Sequence, residues 1–145
     1  MPVCLCHSSL ALSSKWSSYE GGWDSGRSRY LSGDYNGDGR TDVAASFDYG
    51  NGQTGVFVWE GKADGFSDAT RRWLSNPGGW NANQTRFMSG DYTGDGRADI
   101  GAFYDYGNAS TSLFVMEATP GGFTNPATRW SSNPGGWDIA RTITF

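Results

Sequence analysis

Two short acidic segments hold the residues of this sequence that are best suited to chemistry, and that chemistry is cation binding. The first segment is residues 34–42, DYNGDGRTD, and the second is residues 91–99, DYTGDGRAD. Calcium is held by about six to eight oxygens from carboxylates, amides, backbone carbonyls and water. Acidic side chains packed this closely repel one another unless a cation relieves the repulsion. Each segment is therefore predicted to be a calcium-binding loop. The alternative is a pair of bare turns, since Asp and Gly are common turn residues.

The spacing within each loop assigns the expected ligands. Side chains at the first, third and fifth positions can converge on one ion, and the ninth position adds a further carboxylate. The sixth position is Gly39 or Gly96, where a sharp turn costs a glycine little. The seventh position is expected to offer its backbone carbonyl while its side chain points away. The predicted ligands are Asp34, Asn36, Asp38, Arg40 and Asp42 in the first loop, and Asp91, Thr93, Asp95, Arg97 and Asp99 in the second. Because a hydroxyl is a poorer ligand than an amide oxygen, the second site is predicted to be weaker.

An EF-hand loop is the main rival interpretation of these segments. That loop needs a bidentate acid at its twelfth position and a helix on either side. The twelfth position here is Ala45 in the first loop and Ala102 in the second, and a strand-like apolar run follows each loop. The EF-hand interpretation is therefore rejected.

The loops belong to an internal repeat with a period of 57 residues. The Gly-Gly-Trp triplet that ends at Trp23 recurs at Trp80 and at Trp137, and the two acidic loops are related by the same shift. Periodicity of this length is typical of solenoids and propellers. The predicted organisation is an N-terminal tail over 1–12, a first repeat over 13–69, a second over 70–126, and a partial third over 127–145.

Each repeat is predicted to form about four short antiparallel strands, as a blade of a β-propeller does. In the first repeat these strands lie near residues 29–31, 42–47, 55–59 and 72–74, separated by clusters of Gly, Asn and Asp. The composition agrees with an all-β fold, because the chain has 22 Gly, 15% aromatic residues and only 18% charged residues. Asp48 and Asp105, the repeated acids outside the loops, are expected to accept backbone N–H bonds in tight turns.

Several classes of function are disfavoured by the sequence. The net charge is −4 and the basic residues are scattered, whereas a nucleic-acid-binding protein presents a clustered basic face. No apolar run approaches the roughly 18 residues that cross a bilayer. The sole histidine, His7, lies in the tail beside Cys4 and Cys6, which are expected to be free thiols in a disordered segment. Without a further His, a nucleophile elbow or a phosphate loop, the chain is predicted not to be an enzyme.

The repeats resemble the FG-GAP/VCBS type, the calcium-loop blades of integrin-like β-propellers. The resemblance rests on the two Asp-x-[Asn/Thr]-x-Asp-Gly-x-x-Asp loops, each of which follows Ser-Gly and precedes an apolar strand, and on the Asp-Tyr-Gly motifs. It implies that the loops bind calcium between adjacent strands. It also implies a recognition or scaffolding module, similar to repeat proteins of secreted bacterial type. Because loops of this kind are usually weak calcium sites that fill outside cells, a secreted or cell-surface location is predicted.

Two functions from different classes remain open. The first is a recognition module for carbohydrate or a cell-surface glycan, in which the exposed rings of Trp23, Trp80 and Trp137 bind sugar. In the alternative, these rings form the core between blades. The second function is a calcium-stabilised structural protein that assembles into an oligomer or fibre. Two blades cannot close a propeller, so the chain is either a piece of a longer array or associates through its terminal strands.

Overall fold

The protein is described by a computed structural model that covers residues 14–18 and 20–141. The predicted tail over 1–12, with Cys4, Cys6 and His7, lies outside the described residues. Within them the chain is all-β, as expected, with no α-helix and three single turns of 3-10 helix. The strands are β1 Ser28–Gly33, β2 Asp42–Gly50, β3 Gln53–Trp59, β4 Gly61–Lys62, β5 Gly65–Phe66, β6 Thr70–Leu74, β7 Thr85–Gly90, β8 Asp99–Gly107, β9 Ser110–Met116, β10 Ala118–Thr119, β11 Gly122–Phe123 and β12 Ala127–Ser131.

The strands form two antiparallel four-stranded sheets, which confirms the prediction of four strands per unit. The first sheet has the order β1-β2-β3-β6 and the second has the equivalent order β7-β8-β9-β12. Two strand pairs that the sequence did not indicate, β4-β5 and β10-β11, form small separate hairpins beside the sheets. Each four-stranded sheet takes its fourth strand from the start of the following sequence repeat, since β6 begins at Thr70 and β12 begins at Ala127.

Tight turns between the central strands explain the glycine-rich clusters. The turn from β2 to β3 uses Gly50, Asn51 and Gly52, all with positive φ. Asp48 accepts the backbone N–H of Gly50 at 2.8 Å, and Asp105 accepts that of Gly107 at 2.8 Å in the second sheet. The prediction that these two acids bind backbone N–H groups is therefore confirmed.

The hydrophobic core lies between the two sheets. The first sheet and its loop contribute Tyr35, Ala44, Val56 and Val58, and the second contributes Ala98, Ile100 and Met116. Because every second residue of a strand points to the same face, the 57-residue repeat places equivalent apolar residues on equivalent faces of both sheets. One face of the first sheet is thus buried by the opposite face of the second. No helix of the described residues is long and apolar enough to cross a membrane.

Candidate metal centre

The first acidic loop connects β1 to β2 and is organised around the carboxylate of Asp34. One oxygen of Asp34 accepts the N–H of Gly37 at 2.8 Å and that of Asp38 at 3.1 Å. The other oxygen accepts the N–H of Gly39 at 2.7 Å. Gly37 and Gly39 have φ values of 77° and 86°, a region that a side chain strongly disfavours. The loop therefore curls its backbone around the Asp34 carboxylate, and the two glycines make that curl possible.

The second loop, between β7 and β8, repeats this arrangement. Asp91 accepts N–H bonds from Gly94 at 2.7 Å, Asp95 at 3.1 Å and Gly96 at 2.9 Å. These donors, with the N–H of Gly96 the largest contributor, lower the pKa of Asp91 below its ordinary value. Asp91 is therefore held as a carboxylate, the form that a hard cation requires.

Hydrogen bonds connect the third position of the first loop to the fifth, and the fifth position of both loops to the seventh. In the first loop, the amide oxygen of Asn36 accepts the N–H of Asp38 at 3.1 Å, and Asp38 accepts the N–H of Arg40 at 2.8 Å. In the second loop, Asp95 accepts the N–H of Arg97 at 2.9 Å. The hydroxyl of Thr93 donates to the Asp91 carboxylate at 3.4 Å. The four predicted residues Asn36, Asp38, Thr93 and Asp95 are exposed on the loops.

The ninth position has a structural role that the sequence did not indicate. Asp42 is fully buried, and its two oxygens accept the N–H groups of Tyr35 at 2.9 Å and Gly61 at 2.8 Å. The carboxylate thereby ties the start of the acidic loop to the strand pair β4-β5. Burial has the largest effect on the pKa of Asp42 and raises it. The two backbone hydrogen bonds lower this pKa, and the negative charges of Asp38 and Asp34 raise it by a smaller amount.

Asp99 performs the same role in the second sheet. Its carboxylate accepts the N–H groups of Tyr92 at 3.0 Å, Thr93 at 3.1 Å and Ala118 at 2.9 Å. An Asp rarely becomes fully buried, and its position directly before an apolar run in both repeats is the sequence signal that would have indicated an internal cross-link.

The oxygen chemistry of the loops fits a hard cation. Each loop offers three carboxylates, one amide or hydroxyl oxygen and a backbone carbonyl, and a carboxylate has about four lone-pair sites. Asp34 uses three of those sites for backbone N–H groups. Within the part of the chain that the structure describes, however, no group of three or more His, Cys, Asp or Glu side chains is gathered as a metal site. The predicted ligands are thus neighbours in each loop, but their oxygens bind the backbone instead of meeting at one point.

Contacts between the sheets link the two loops. The N–H of Ala98 in the second loop donates to the backbone carbonyl of Asp34 at 2.7 Å. The hydroxyl of Tyr35 is hydrogen-bonded to that of Ser89 at 2.7 Å, and burial raises the pKa of Tyr35 to about 12. A cavity of about 250 Å³ lies at this junction, and both Asn36 and Arg97 line it. The first loop is therefore partly covered by the second sheet, whereas the second loop has no such cover within the described residues.

Residues 34–102 match the protein family described as the FG-GAP-like repeat. This segment of the chain is an FG-GAP-like repeat. It begins at the first residue of the first acidic loop and ends inside β8, so it contains both loops. No curated protein and no solved structure matches the chain. The family is generally non-catalytic, and its repeats are typically extracellular domains.

The middle Gly-Gly-Trp segment, which ends at Trp80, connects the first sheet to the second. The backbone of Trp80 is held by the first sheet, because its carbonyl accepts the hydroxyl of Thr54 at 2.9 Å and its N–H donates to Gly52 at 2.9 Å. Its ring lies against the second sheet, with ring centroids 4.9 Å from Tyr104 and 5.1 Å from Phe114. Trp80 is only 7% exposed, so it serves the core and offers no open face to a sugar.

The other two Gly-Gly-Trp tryptophans differ in exposure. Trp23 is half-buried and its ring contacts Phe47, Phe57 and Trp59 of the first sheet, at centroid distances of 5.2, 5.1 and 4.7 Å. Trp137 is 44% exposed, and its ring contacts that of Trp130 at 6.1 Å. Although Trp130 lies in β12, it is 44% exposed.

A cleft occurs at the same position of each sheet. The first has a volume of about 590 Å³ and is lined by Trp16, Trp23, Phe57 and Asp68, among others. The second, of about 540 Å³, is lined by Trp73, Trp80, Phe114 and Asn125, the residues that follow those four by one repeat. We call these two cavities the junction clefts. In each, an indole N–H donates to the Asp or Asn: Trp16 to Asp68 at 3.2 Å and Trp73 to Asn125 at 3.0 Å.

Proposed function

We propose that this chain is a calcium-stabilised, non-catalytic repeat module that acts outside the cell. The observation that carries the proposal is the repetition of one loop architecture, in which nine residues hold three carboxylates close together. Burial is the main cause of the raised pKa of Asp42, and the negative charges of Asp38 and Asp34 raise that pKa further, which agrees with repulsion inside the loop. A loop whose carboxylates repel one another is stabilised by a cation that neutralises them.

The residues that would hold the ion are those of the loops themselves. In the first loop they are the side chains of Asp34, Asn36, Asp38 and Asp42 with the backbone carbonyl of Arg40. In the second they are the side chains of Asp91, Thr93, Asp95 and Asp99 with the backbone carbonyl of Arg97. When bound, calcium would supply charge neutralisation and cross-linking of the loop, with no role in covalent chemistry. Weak sites of this kind fill at extracellular calcium concentrations, with dissociation constants of about 10⁻⁴–10⁻³ M.

Thermal unfolding with excess calcium and with a chelator tests this proposal. At about 10 mM calcium, sites of that affinity contribute roughly 1.4–2.7 kcal/mol each to the free energy of unfolding. The variants Asp38→Asn and Asp95→Asn each remove one loop carboxylate and are expected to lose about half of the calcium effect. The matched control is Asp64→Asn, an exposed acid outside the loops. If calcium and chelator give the same unfolding curve for the unmodified chain, the loops are turns and the proposal fails.

The two loops are expected to bind calcium unequally. The amide oxygen of Asn36 is a better ligand than the hydroxyl of Thr93, and that hydroxyl is directed to Asp91. The substitution Thr93→Asn should therefore increase calcium affinity, and Asn36→Thr should reduce it, in titrations followed by calorimetry. Two sites of equal affinity in the unmodified chain would contradict this ranking.

A second candidate function, glycan recognition, is favoured by the junction clefts. Binding sites for small molecules are concave, lined by aromatic side chains and equipped with a few polar groups. The first cleft has this character, since Trp16, Trp23, Phe47, Tyr49 and Phe57 line it together with the carboxylates of Asp24 and Asp68. Because the second cleft repeats the position with fewer aromatic side chains, we expect the first cleft to bind more tightly.

A titration of the chain with neutral, amino and acidic monosaccharides, followed by tryptophan fluorescence and calorimetry, tests glycan recognition. Tyr49→Ala removes an aromatic ring from the first cleft and should weaken any sugar that binds there. Tyr106→Ala is the matched control, because Tyr106 occupies the equivalent position in the second sheet but does not line the second cleft. A lack of response to every sugar tested, or equal weakening by both variants, would exclude the first cleft as a sugar site.

A further inference from the structure

Equivalent residues of the two sheets differ in solvent exposure, and the residues that differ lie on one face of each sheet. Tyr35 of the first sheet is 5% exposed, whereas Tyr92, its equivalent in the second, is 47% exposed. Trp80 is 7% exposed and its equivalent Trp137 is 44% exposed. In the first sheet these positions are covered by the second sheet. We call the corresponding surface of the second sheet the trailing face; it comprises Met88, Tyr92, Leu113, Trp130 and Trp137.

The first sheet has an apolar surface on its other side, the side that does not pack against the second sheet. Tyr30, Val43, Trp59 and Phe66 line a cavity of about 240 Å³ beneath Trp16 and Trp23. We call this surface the leading face. Its equivalents in the second sheet are Phe87, Ile100, Met116 and Phe123, the residues that pack against the first sheet within the chain. Among residues 14–18 and 20–141, one pair of such faces is joined and one pair is not.

We infer that a second copy of this chain docks head to tail, with its leading face on the trailing face of the first copy. The contact between the two sheets within the chain is the template for this docking. There, the Tyr35 ring lies 5.6 Å from that of Phe123, and its hydroxyl meets that of Ser89 at 2.7 Å. Phe66 and Ser32 are the equivalents on the leading face, and Ser32 is exposed. They are the groups that would receive Tyr92 of the other copy.

Docking also requires an exchange of tryptophans. On the leading face Trp16 lies 5.3 Å from Trp59 and donates to Asp68, just as Trp73 donates to Asn125 at the internal junction. Trp130 follows Trp73 by one repeat, so it can replace Trp16 of the other copy at the same position. Trp16 and Trp23 of each copy therefore compete with Trp130 and Trp137 of its neighbour. This competition sets the strength of association.

The geometry of the contact determines the form of the assembly. The two surfaces are different, so the interface is heterologous and produces a ring if the rotation closes and a filament if it does not. A closed propeller has roughly four to eight blades. The described residues of each copy form two four-stranded sheets, so a ring built from these sheets alone would contain about two to four copies. The inference does not depend on calcium binding.

Sedimentation velocity and light scattering over a dilution series of the full chain, with excess calcium, test the inference. The unmodified chain should form species of at least twice its 15.7 kDa mass, and the dissociation constant should rise about tenfold or more in Tyr92→Glu. Tyr106→Glu is the matched control, because Tyr106 is 53% exposed in the same sheet but packs on Tyr104, away from the trailing face. Trp130→Glu should have the same effect as Tyr92→Glu from outside the acidic loop. Circular dichroism confirms that each variant is folded.

Two further outcomes decide the inference. Trp16→Ser weakens the competing segment, so it should tighten association. A single-chain mass for the unmodified protein and for Trp16→Ser at every concentration would overturn the inference, as would assemblies that Tyr92→Glu and Trp130→Glu leave intact. Failure of the calcium proposal would appear separately, as unfolding curves that calcium does not change.

Discussion

The buried carboxylate of Asp42 provides the sharpest test of how this module is held together. Its two oxygens accept the N–H groups of Tyr35 and Gly61, at 2.9 and 2.8 Å, in a fully buried position. The substitution Asp42→Asn keeps the size of the side chain but replaces one acceptor oxygen by an N–H₂ group. One backbone N–H then faces another donor, and its hydrogen bond is lost.

The expected cost follows from these contacts. A hydrogen bond to a charged group contributes about 1.5–3 kcal/mol, and the loss leaves a buried donor without a partner. The loss of the negative charge removes repulsion from Asp38 and Asp34, which offsets part of this cost. We therefore expect the free energy of unfolding to fall by about 2 kcal/mol, a decrease in Tm of roughly 8 °C for a domain of this size.

Thermal unfolding in the presence of a chelator measures this structural contribution by itself. The same measurement in excess calcium adds the contribution of Asp42 as a ligand, so the calcium-induced rise in Tm should also be smaller in the variant. Asp64→Asn, an exposed acid, serves as the control and should unfold at the temperature of the unmodified chain. An unchanged Tm for Asp42→Asn in chelator would refute the cross-linking role. A full calcium response in the variant would remove Asp42 from the list of ligands.

Three further predictions concern the junction between the sheets. Tyr35 titrates near pH 12 in the folded chain and near 10.0 in the unfolded chain, so stability is complete below pH 10.0 and falls by about 3 kcal/mol as the pH rises to about 12. Tyr35→Phe should flatten this fall in urea titrations at alkaline pH. Ile100→Ala should cost about 2–5 kcal/mol in urea unfolding because Ile100 is fully buried between the sheets, while Ile100→Val should cost about 0.5–1.5 kcal/mol. Gly122→Ala should cost about 1–3 kcal/mol, because φ is 149° and the new Cβ would meet the backbone carbonyl of Arg72. Gly121→Ala is its control, since nothing lies near that position.

Each of these three predictions has a result that would contradict it. Equal alkaline sensitivity of the unmodified chain and Tyr35→Phe would mean that another group controls alkaline unfolding. An Ile100→Ala variant no less stable than Ile100→Val would mean that the space between the sheets collapses readily. If Gly121→Ala and Gly122→Ala unfold alike, the close approach of β11 to β6 contributes little.

Local structure in this protein was largely predictable from its sequence. The 57-residue repeat, the four strands of each sheet and the turns at Asp48 and Asp105 depend on residues close together in the chain. Alternation of side chains and the conformational freedom of glycine are sufficient to specify them. The acidic loops follow the same rule, because Asp34 and Asp91 bind backbone N–H groups at most five residues away.

Burial was decided by the tertiary structure alone. Tyr35 and Tyr92 occupy the same position of the same motif, yet one is buried and the other exposed, because within the described residues a following sheet packs only on the first. The sequence likewise did not indicate that Asp42 binds Gly61, since the two residues come together only when β2, β3 and β4 are assembled. A repeated sequence specifies the same local hydrogen bonds in every copy. Whether a face of a copy is core or surface depends on the neighbour that covers it.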